Sequence, residues 1–317
     1  MDLPEPRVSE DEVLIQVKAA SINPIDFKVR QGKLKAVLAY SFPLILGHDC
    51  AGVVAKTGAA VKRFRIGDEV YTRPDRIGTL AEFVAAREQH VAKMPKNTSF
   101  EEAASLPLVG LTSWQALLQR AGMKNENRVF VPAGSGGVGS LAIQLAKHFG
   151  AYVITNCSTK NLGFVRSLGA DEVIDYTKQD FSRVISDIDI VFDTVGGETQ
   201  KKAFRILRSG GTLVSISGPP TAQSMREANR GSVLQLAASL LSLRVSIRSY
   251  LTRTHYIFFL MLPDGETLEK IGALVEGGSI RPVIDRTFPF DKANEAVEYV
   301  EAGHARGKVI VTSCAPP

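Results

Sequence analysis

The sequence is poor in cysteine, and the few cysteines form no pattern. Cys50, Cys157 and Cys314 are the only three in 317 residues, and none belongs to a C-x-x-C pair. An odd, scattered set favours neither a disulfide framework nor a thiolate zinc site. A reducing compartment is therefore expected. Because no charged and then apolar leader opens the chain, we expect a cytoplasmic protein.

The sequence also lacks an uncharged apolar run long enough to cross a bilayer. Residues 231–243 are leucine-rich but too short, and we interpret the stretch from Ser232 to Leu243 as a lid or a partner surface. Positive charge is in small excess. The chain has 38 Lys and Arg and 33 Asp and Glu, which gives a formal net charge of +5. That excess slightly favours anionic ligands without establishing nucleic-acid binding.

What is present is enough apolar sequence for about two domains. The chain is 44% apolar, which suffices to bury sizeable cores. Residues 8–20 alternate charged and apolar side chains and predict a half-exposed strand. Further strand patterns with glycine turns, in residues 43–58 and 64–71, predict a small β-rich domain. Ser99 and Glu102 form a capping box, so a helix is expected to begin there and to end before Pro107.

The strongest motif runs from Val129 to Gly150 and predicts a strand, a glycine turn and a buried helix. Its glycines satisfy G-x-G-x-x-G, which permits a tight turn, close approach to a pyrophosphate and close helix packing. We predict a dinucleotide site here, with an ordinary glycine-rich turn as the alternative. The predicted cofactor-binding residues of the turn are Gly134, Ser135, Gly136, Gly137, Val138 and Gly139.

Helix and strand patterns alternate after this turn, which is typical of a doubly wound parallel sheet. The fold class is therefore predicted as α/β. Near the end of this region, residues 244–251 (RVSIRSYL) are interpreted as a further strand, and a helix is expected from Glu266 to Val275.

Cofactor preference depends on the end of the second strand of this sheet. NAD-selective sites place Asp or Glu there to accept from the ribose 2′-hydroxyl, whereas this strand ends in Asn156, Cys157 and Ser158. Ser158, Thr159 and Lys160 offer hydroxyl and ammonium donors instead. The pattern predicts NADPH, unless Lys160 is a solvated lysine that opens the next helix.

Several segments resemble the zinc-independent quinone oxidoreductases of the medium-chain dehydrogenase/reductase superfamily, namely GLTSWQAL, AGSGGVG, SLGADEVIDY, FDTVGG and HARGKVIV. NPIDFKVRQGKLK, VIDYTK and RPVIDRTFPF are similar to the NADPH-dependent alkenal or enone reductases of that group. The resemblance implies a GroES-like β domain from residues 1–105 and 278–317, and a Rossmann dinucleotide-binding domain from residues 106–277. Members usually begin with an additional β-hairpin, so the N-terminal hairpin is expected to be absent and a sheet edge unpaired.

The resemblance also implies roles for individual residues. At the nicotinamide end it points to Asn23, Asp26, Lys28 and Thr112 as catalytic candidates. Lys28 is the only cation among them, and a surface lysine is the alternative interpretation. Tyr176 is expected beside the 2′-phosphate, and Tyr40 is expected to shape the substrate pocket. Further cofactor-binding residues implied by the resemblance are Thr112, Val195, Ser217, Gly218 and Lys308.

A catalytic zinc site is not predicted. Zinc-containing relatives use a cysteine, the histidine of GHD and a second cysteine, and these positions hold Asn23, His48 and Leu108. Because catalytic zinc needs three protein ligands, no metal is expected. His48 is interpreted as a structural, hydrogen-bonded histidine. The cysteine-rich structural loop is also missing between Tyr71 and Leu80.

The function implied is an NADPH-dependent oxidoreductase, expected to be a homodimer, that reduces quinones or the C=C bond of α,β-unsaturated carbonyls without zinc. One alternative is a zinc-free alcohol dehydrogenase. Another is an NADPH-binding regulatory or RNA-binding protein, which no RNA-binding motif or stacked-aromatic pattern supports. Nucleic acid and membrane are therefore not expected as partners.

Overall fold

Two compact units make up the protein. The computed structural model describes residues 4–35, 40–303 and 305–312. Unit 1 contains the described residues up to Leu111 and from Leu262 onward, and unit 2 is Thr112–Met261. Cys314 and the His304 that opens the HARGKVIV segment lie outside the described residues, as do residues 1–3, so the expected loss of the N-terminal hairpin stays a prediction.

Unit 1 is built on a seven-stranded sheet. Its strands are β1 (Glu12–Ile22), β2 (Asp49–Thr57), β3 (Glu69–Thr72), β4 (Phe83–Arg87), β5 (Val91–Lys93), β12 (Ile284–Pro289) and β13 (Lys308–Thr312). The order is β12-β13-β1-β2-β3-β5, and β4 pairs with β1. All pairs are antiparallel except β12 with β13. The β-rich domain that the sequence predicts is therefore confirmed.

Strand β1 is the centre of this sheet. The prediction that it is half exposed is wrong, since nine of its eleven residues are buried. It pairs with three strands, β2, β4 and β13. Val13, Ile15 and Val17 join one core cluster, and Leu14, on the opposite face, is also fully buried. Both faces of β1 are therefore covered. The alternation of charged and apolar residues along the sequence predicts one exposed face and does not reveal this.

Five α-helices begin among the described residues of unit 1, and the capping box is confirmed. The Ser99 hydroxyl accepts from the Glu102 amide at 3.2 Å, and the Glu102 carboxylate accepts from the Ser99 amide at 2.9 Å. Pro107 occupies the first turn of the next helix, where its missing N–H costs nothing. The helices are α1 (Pro24–Arg30), α2 (Phe100–Ala104), α3 (Pro107–Trp114, continued by a π-helical segment Gln115–Arg120), α10 (Gly265–Glu276) and α11 (Ala293–Glu301).

The second boundary of the Rossmann domain differs from the predicted residue 277. Helix α10 belongs to unit 1, because it packs on the sheet there. The Tyr71 hydroxyl donates to the carbonyl of Leu268. Gly265 lies so close to β5 that an added Cβ would come within 2.4 Å of the Val91 carbonyl oxygen. This packing partner is distant in sequence, so the helix pattern alone does not assign α10 to a unit.

Unit 2 is a doubly wound parallel sheet, as the alternation predicts. Its strand order is 3-2-1-4-5-6 counted within the unit, with the reversal between the first and fourth strands. Its strands are β6 (Arg128–Val131), β7 (Tyr152–Cys157), β8 (Glu172–Asp175), β9 (Ile188–Asp193), β10 (Leu207–Ser215) and β11 (His255–Phe258). Its helices are α4 (Gly137–His148), α5 (Leu162–Ser167), α6 (Phe181–Val184), α7 (Gly197–Ile206), α8 (Ala222–Glu227) and α9 (Ser232–Leu251).

The strand predicted at residues 244–251 is wrong, because this segment is the second half of α9. Buried Ala238, Ser242 and Ser249 recur at spacings of four and seven, which is one face of a helix. The alternating β-branched side chains Val245 and Ile247 imitate a strand pattern over a short window. Within the described ranges, no helix is long and apolar enough to cross a membrane.

The glycine turn fits tightly under α4. A Cβ on Gly139 would lie 2.4 Å from the Ala133 carbonyl oxygen, and one on Gly134 would lie 2.0 Å from Oγ1 of Thr155. Real Cβ atoms do not approach so closely, so the close packing predicted for the third glycine is confirmed, and the turn leaves no room for a side chain at the first glycine either. Gly136 differs, since its added Cβ would meet only the Ala133 oxygen, at 3.4 Å.

We therefore expect Gly139→Ala to lower the free energy of unfolding by about 1–3 kcal/mol, the usual cost of overpacking. The strain outweighs the roughly 1 kcal/mol by which alanine is favoured over glycine inside a helix. Gly136→Ala, which has room, is the matched control and should change stability by less than about 1 kcal/mol. Denaturant unfolding without cofactor measures both, and equal losses would contradict the packing argument.

Candidate functional site

A buried polar cluster lies where β1, α1 and β2 meet in unit 1. β1 ends at Ile22, and Asn23 precedes the first turn of α1. The Asp26 carboxylate in that turn accepts from the Asn23 amide at 2.7 Å. The same carboxylate lies 2.6 Å from Nδ1 of His48 and accepts from the Gly47 amide at 3.2 Å. His48 is therefore hydrogen-bonded, as predicted, and only 1% exposed.

Lys308 reaches this cluster from the other end of the chain. Its Nζ donates to Oδ1 of Asn23, to the carbonyl of Ile22 at 3.3 Å and to Oδ2 of Asp49 at 3.3 Å. Burial lowers the pKa of the Lys308 ammonium, and the charges of Asp49 and Asp26 oppose that shift. Lys308, predicted as cofactor-binding, thus has three hydrogen-bond acceptors inside unit 1, and a cofactor contact stays a prediction.

The positions that correspond to the zinc ligands are linked by a carboxylate. Oδ2 of Asp49 accepts from Nδ2 of Asn23 at 2.9 Å, and Oδ1 accepts from the Leu108 amide at 2.8 Å. Here Nδ2 of Asn23 and the Leu108 backbone amide are donors, and Oδ1 of Asn23 faces the Lys308 ammonium, so neither position offers a lone pair to a cation. Among the described residues, no group of three or more His, Cys, Asp or Glu side chains is placed to hold a metal ion.

Lys28 and Tyr40 lie outside the buried cluster but in the same unit. Lys28 is exposed on α1. The Tyr40 hydroxyl donates to the carbonyl of Val29 on the same helix at 3.3 Å, and its ring packs edge-on against Phe42 with centroids 5.8 Å apart. Tyr40 is therefore tied to the element that carries Lys28.

In unit 2, the loop after β7 comes together with the glycine turn. Nδ2 of Asn161 donates to Oγ of Ser135 at 3.1 Å and to Oγ of Ser158 at 3.4 Å. Oδ1 of Asn156 accepts from the Ala133 amide at 2.8 Å. The predicted residues Ser135 and Ser158 are thus neighbours. The sequence does not single out Asn161 as the residue that joins them, because an Asn in a polar loop carries no signal.

Lys160 and Tyr176 are exposed at the same edge of the sheet, and Tyr176 is 58% exposed. The Thr159 hydroxyl donates to Oδ2 of Asp175 at 2.6 Å, and no motif in the sequence indicates this acid as part of the site. Hydrogen bonds from Thr159 and Thr177 lower the pKa of Asp175. This acid ends β8, whereas the acid of NAD-selective sites ends the second strand.

A second network fixes the loops after β9 and β10. Oδ2 of buried Asp193 accepts from Ser215 Oγ at 2.8 Å and Gln200 Nε2 at 3.0 Å. Its Oδ1 accepts from the Val195 amide at 3.1 Å, and Ser215 Oγ accepts from the Gly218 amide at 2.8 Å.

The predicted groove residues of unit 2 are therefore held by the buried carboxylate of Asp193, whose role no local motif indicates. Val195 is 48% exposed, and the Ser217 hydroxyl donates to the carbonyl of Thr194 at 2.8 Å. Thr112 is also in unit 2 and is buried in α3.

Comparison with protein families matches both parts of the chain. Residues 9–96 match the alcohol dehydrogenase GroES-like domain, and residues 168–311 match the zinc-binding dehydrogenase family. These matches confirm the fold class, a GroES-like domain with a Rossmann-type parallel sheet.

Individual relatives share most of the chain. The 2-methylene-furan-3-one reductase of Solanum lycopersicum is 40% identical over 96% of this chain and 73% of its own. The chloroplastic NADPH-dependent alkenal/one oxidoreductase of Arabidopsis thaliana is 38% identical over the same fractions. The quinone oxidoreductase structure from Coxiella burnetii is 34% identical, with a TM-score of 0.84 over 98% of this chain and 93% of its own. The chain therefore belongs to the quinone oxidoreductases and enone reductases of the medium-chain dehydrogenase/reductase superfamily, which are oxidoreductases with a nicotinamide cofactor.

Proposed function

We propose that this protein uses NADPH to reduce quinones or the C=C bond of α,β-unsaturated carbonyls, without a catalytic metal. The observation that carries the proposal is the hydrogen-bonded cluster around Asp49. Asn23 and Leu108 present donors to this carboxylate where zinc enzymes present cysteine ligands. The names of the tomato and Arabidopsis relatives, a furanone reductase and an alkenal/one oxidoreductase, support an enone as substrate.

Unit 2 offers a fitting place for the dinucleotide. Gly136 precedes the first turn of α4, and the space beside its Cα is open to a ligand. The space beside Gly134 and Gly139 is filled by atoms of the protein itself. The free amides and the dipole of that turn favour a pyrophosphate. Ser158 and exposed Lys160 follow β7, where an adenosine 2′-phosphate would be received, and Tyr176 lies at the end of the adjacent strand β8. These features favour NADPH over NADH.

The roles of the catalytic candidates divide according to their contacts. Both amide hydrogens of Asn23 face acceptors, Oδ2 of Asp49 at 2.9 Å and the carbonyl of Ser21 at 3.5 Å. Asn23 and Asp26 therefore position the start of α1. Lys28, exposed on that helix, is the proposed donor to the substrate oxygen, and Tyr40 shapes the pocket beside it. Lys308 is proposed to hold Asn23 in place.

The acceptor chemistry follows from the donors available. NADPH, when bound, supplies the hydride. Hydride addition at the β-carbon of a conjugated acceptor breaks the C=C π bond and leaves an enolate, whose negative charge is shared by the α-carbon and the oxygen. A single ammonium therefore suffices to stabilise the oxygen, and the α-carbon then takes a proton to give the saturated carbonyl. A saturated carbonyl localises that charge and needs a strong Lewis acid, which this donor set does not supply.

Homodimerisation and a cytoplasmic location remain proposals. The Arabidopsis relative is named as chloroplastic, so family membership does not fix the compartment. The buried thiols are compatible with a reducing compartment. Burial raises the pKa of the Cys157 thiol to about 11, and this keeps the thiol protonated and unreactive.

The first prediction of this proposal concerns cofactor preference. Lys160→Ala should weaken NADPH binding by about ten- to a hundredfold, because a charge-assisted contact to phosphate contributes roughly 1.5–3 kcal/mol. NADH binding should hardly change. Titration of both cofactors measures this, with Lys124→Ala, an exposed lysine elsewhere in unit 2, as the control. Equal losses for NADPH and NADH would refute the assignment of Lys160.

The second prediction concerns metal. Purified protein should contain no stoichiometric zinc and should keep its activity in a chelator, because Asn23 and Leu108 supply no ligands. Elemental analysis and chelator-treated assays test this together. One zinc per chain, lost in parallel with activity, would overturn the proposal of metal-free catalysis.

The third prediction concerns the reaction. A conjugated enone should give the saturated ketone, and a matched saturated ketone should be a poor substrate. Lys28→Met should lower turnover of the enone by about ten- to a thousandfold, the range for losing one oxyanion donor, with NADPH affinity unchanged. A quinone is easier to reduce and should lose less.

Steady-state kinetics with product identification measure these outcomes. Lys33→Met, an exposed lysine just beyond α1, is the matched control and should leave turnover unchanged. Allylic alcohol as the main product, or efficient reduction of the saturated ketone, contradicts the reaction. An unaffected Lys28→Met contradicts only the role of Lys28.

A further inference from the structure

The side chain of Asp193 is fully buried at the carboxyl edge of the unit 2 sheet. Asp193 ends β9 and lies beside Ser215, the last residue of the parallel strand β10. Its Oδ1 accepts from the backbone amides of Val195 and Gly196 at 3.1 and 2.7 Å. Its Oδ2 accepts from Nε2 of Gln200 at 3.0 Å and from the Ser215 hydroxyl at 2.8 Å. Each carboxyl oxygen therefore faces two donors.

This set of donors matches an ionised carboxyl group. The two backbone amides at Oδ1 can only donate, and the Gln200 side chain presents its nitrogen to Oδ2. The Ser215 oxygen already accepts from the amides of Ser217 and Gly218 at 3.2 and 2.8 Å, so its hydrogen is turned to Asp193. With donors on all sides, Asp193 carries a full negative charge.

No cation neutralises this charge. Within the described ranges, no ion pair involves Asp193. Two basic side chains that follow β9 have other partners, since Lys202 pairs with Asp180 at 2.7 Å and Arg208 with Asp189 at 2.5 Å. The amino end of α7 supplies only about half a unit of positive charge, so compensation is partial. Because the carboxylate is fully buried, salt in the solvent screens it little.

The position of this charge matters for a bound dinucleotide. In a doubly wound sheet the dinucleotide lies across the carboxyl ends of the strands, with its pyrophosphate where the strand order reverses. That reversal lies between β6 and β9, and the proposed 2′-phosphate site follows β7, on one side of it. The nicotinamide half then belongs on the other side, over Val195, Ser217 and Gly218. The loops that carry these residues are the ones that Asp193 and Ser215 hold.

We propose that the unneutralised charge of Asp193 stabilises the oxidised form of the bound cofactor relative to the reduced form, which makes NADPH a stronger hydride donor. Loss of a hydride leaves a positive charge on the nicotinamide ring, whereas the ring of NADPH is neutral. A fixed negative charge under the ring therefore lowers the energy of the oxidised form and hardly changes that of the reduced form. The inference rests on the proposed placement of NADPH in unit 2.

The test compares the affinities of the oxidised and the reduced cofactor for the whole chain. Asp193→Asn keeps the size of the side chain and removes its charge. It should weaken NADP⁺ binding about tenfold more than NADPH binding, because at an effective dielectric constant of about 20 two unit charges have an effect of that size out to roughly 12 Å. For a two-electron couple, a tenfold change raises the potential of the bound cofactor by about 30 mV.

Titration with each cofactor form gives the two dissociation constants and their ratio. The same change in ratio is expected for NAD⁺ and NADH, because the charge acts on the nicotinamide ring and not on the 2′-phosphate. The result therefore does not depend on which of the two cofactors the protein prefers.

Two control variants separate the charge from the placement of the loops. Asp189→Asn removes a carboxylate of the same strand that Arg208 neutralises, so the ratio should not change. Tyr256→Phe removes the hydroxyl that donates to the Pro219 carbonyl at 2.8 Å, which loosens the loop after β10. That hydroxyl is neutral, since burial and then the charge of Asp193 raise its pKa. Tyr256→Phe should therefore weaken the two cofactor forms equally.

Equal losses of NADP⁺ and NADPH affinity in Asp193→Asn would overturn the inference, because they would assign the residue to loop placement alone. A ratio that moves as far in Tyr256→Phe would overturn it as well. If the unfolding midpoint shows that Asp193→Asn does not fold, Gln200→Lys decides. Its ammonium replaces the amide nitrogen 3.0 Å from Oδ2 and neutralises the charge, so an unchanged ratio would contradict the inference. A wild-type chain that binds neither NADP⁺ and NADPH nor NAD⁺ and NADH would refute the proposed function instead.

Discussion

The carboxylate of Asp49 is the interaction on which unit 1 depends. It accepts hydrogen bonds from the Ser21 hydroxyl, the Asn23 amide group, the Leu108 backbone amide and the Lys308 ammonium. These donors belong to β1, the start of α1, α3 and β13. Breaking a buried charge pair by removing one partner costs about 3–5 kcal/mol, because the other charge stays buried and unpaired. One carboxylate therefore holds in register every element that carries a catalytic candidate of this unit.

Local patterns in the sequence predict the fold well where the structure is locally determined. The glycine turn, the capping box at Ser99 and the alternation of helix and strand all correspond to elements of the structure. The prediction failed at α9, because Val245 and Ile247 alternate with polar residues over a window too short to separate the two periods. It also failed for β1, because three neighbouring strands cover both faces and nothing local records them.

The candidate site was predictable in part for the same reason. Asn23, Asp26 and His48 stand in recognisable motifs, and the loop after β7 follows from the position of the strand. The partners that hold these residues, Asp49 for Asn23 and Asp175 for Thr159, depend on pairing between distant segments. Lys308 is the clearest case, since it is 259 residues from the carboxylate that it contacts. No window of sequence contains both.

The place of β13 has a consequence for synthesis of the chain. β13 pairs with β1 and lies between it and β12, so the sheet of unit 1 closes only after residue 308 has been made. Unit 2 is continuous from Thr112 to Met261 and can fold on the ribosome while unit 1 is still open. Until β13 has been made, an edge of the apolar strand β1 stays unpaired and can pair with strands of other chains. Chaperone demand during translation should therefore arise from the part of unit 1 that precedes unit 2, although that part is made earlier.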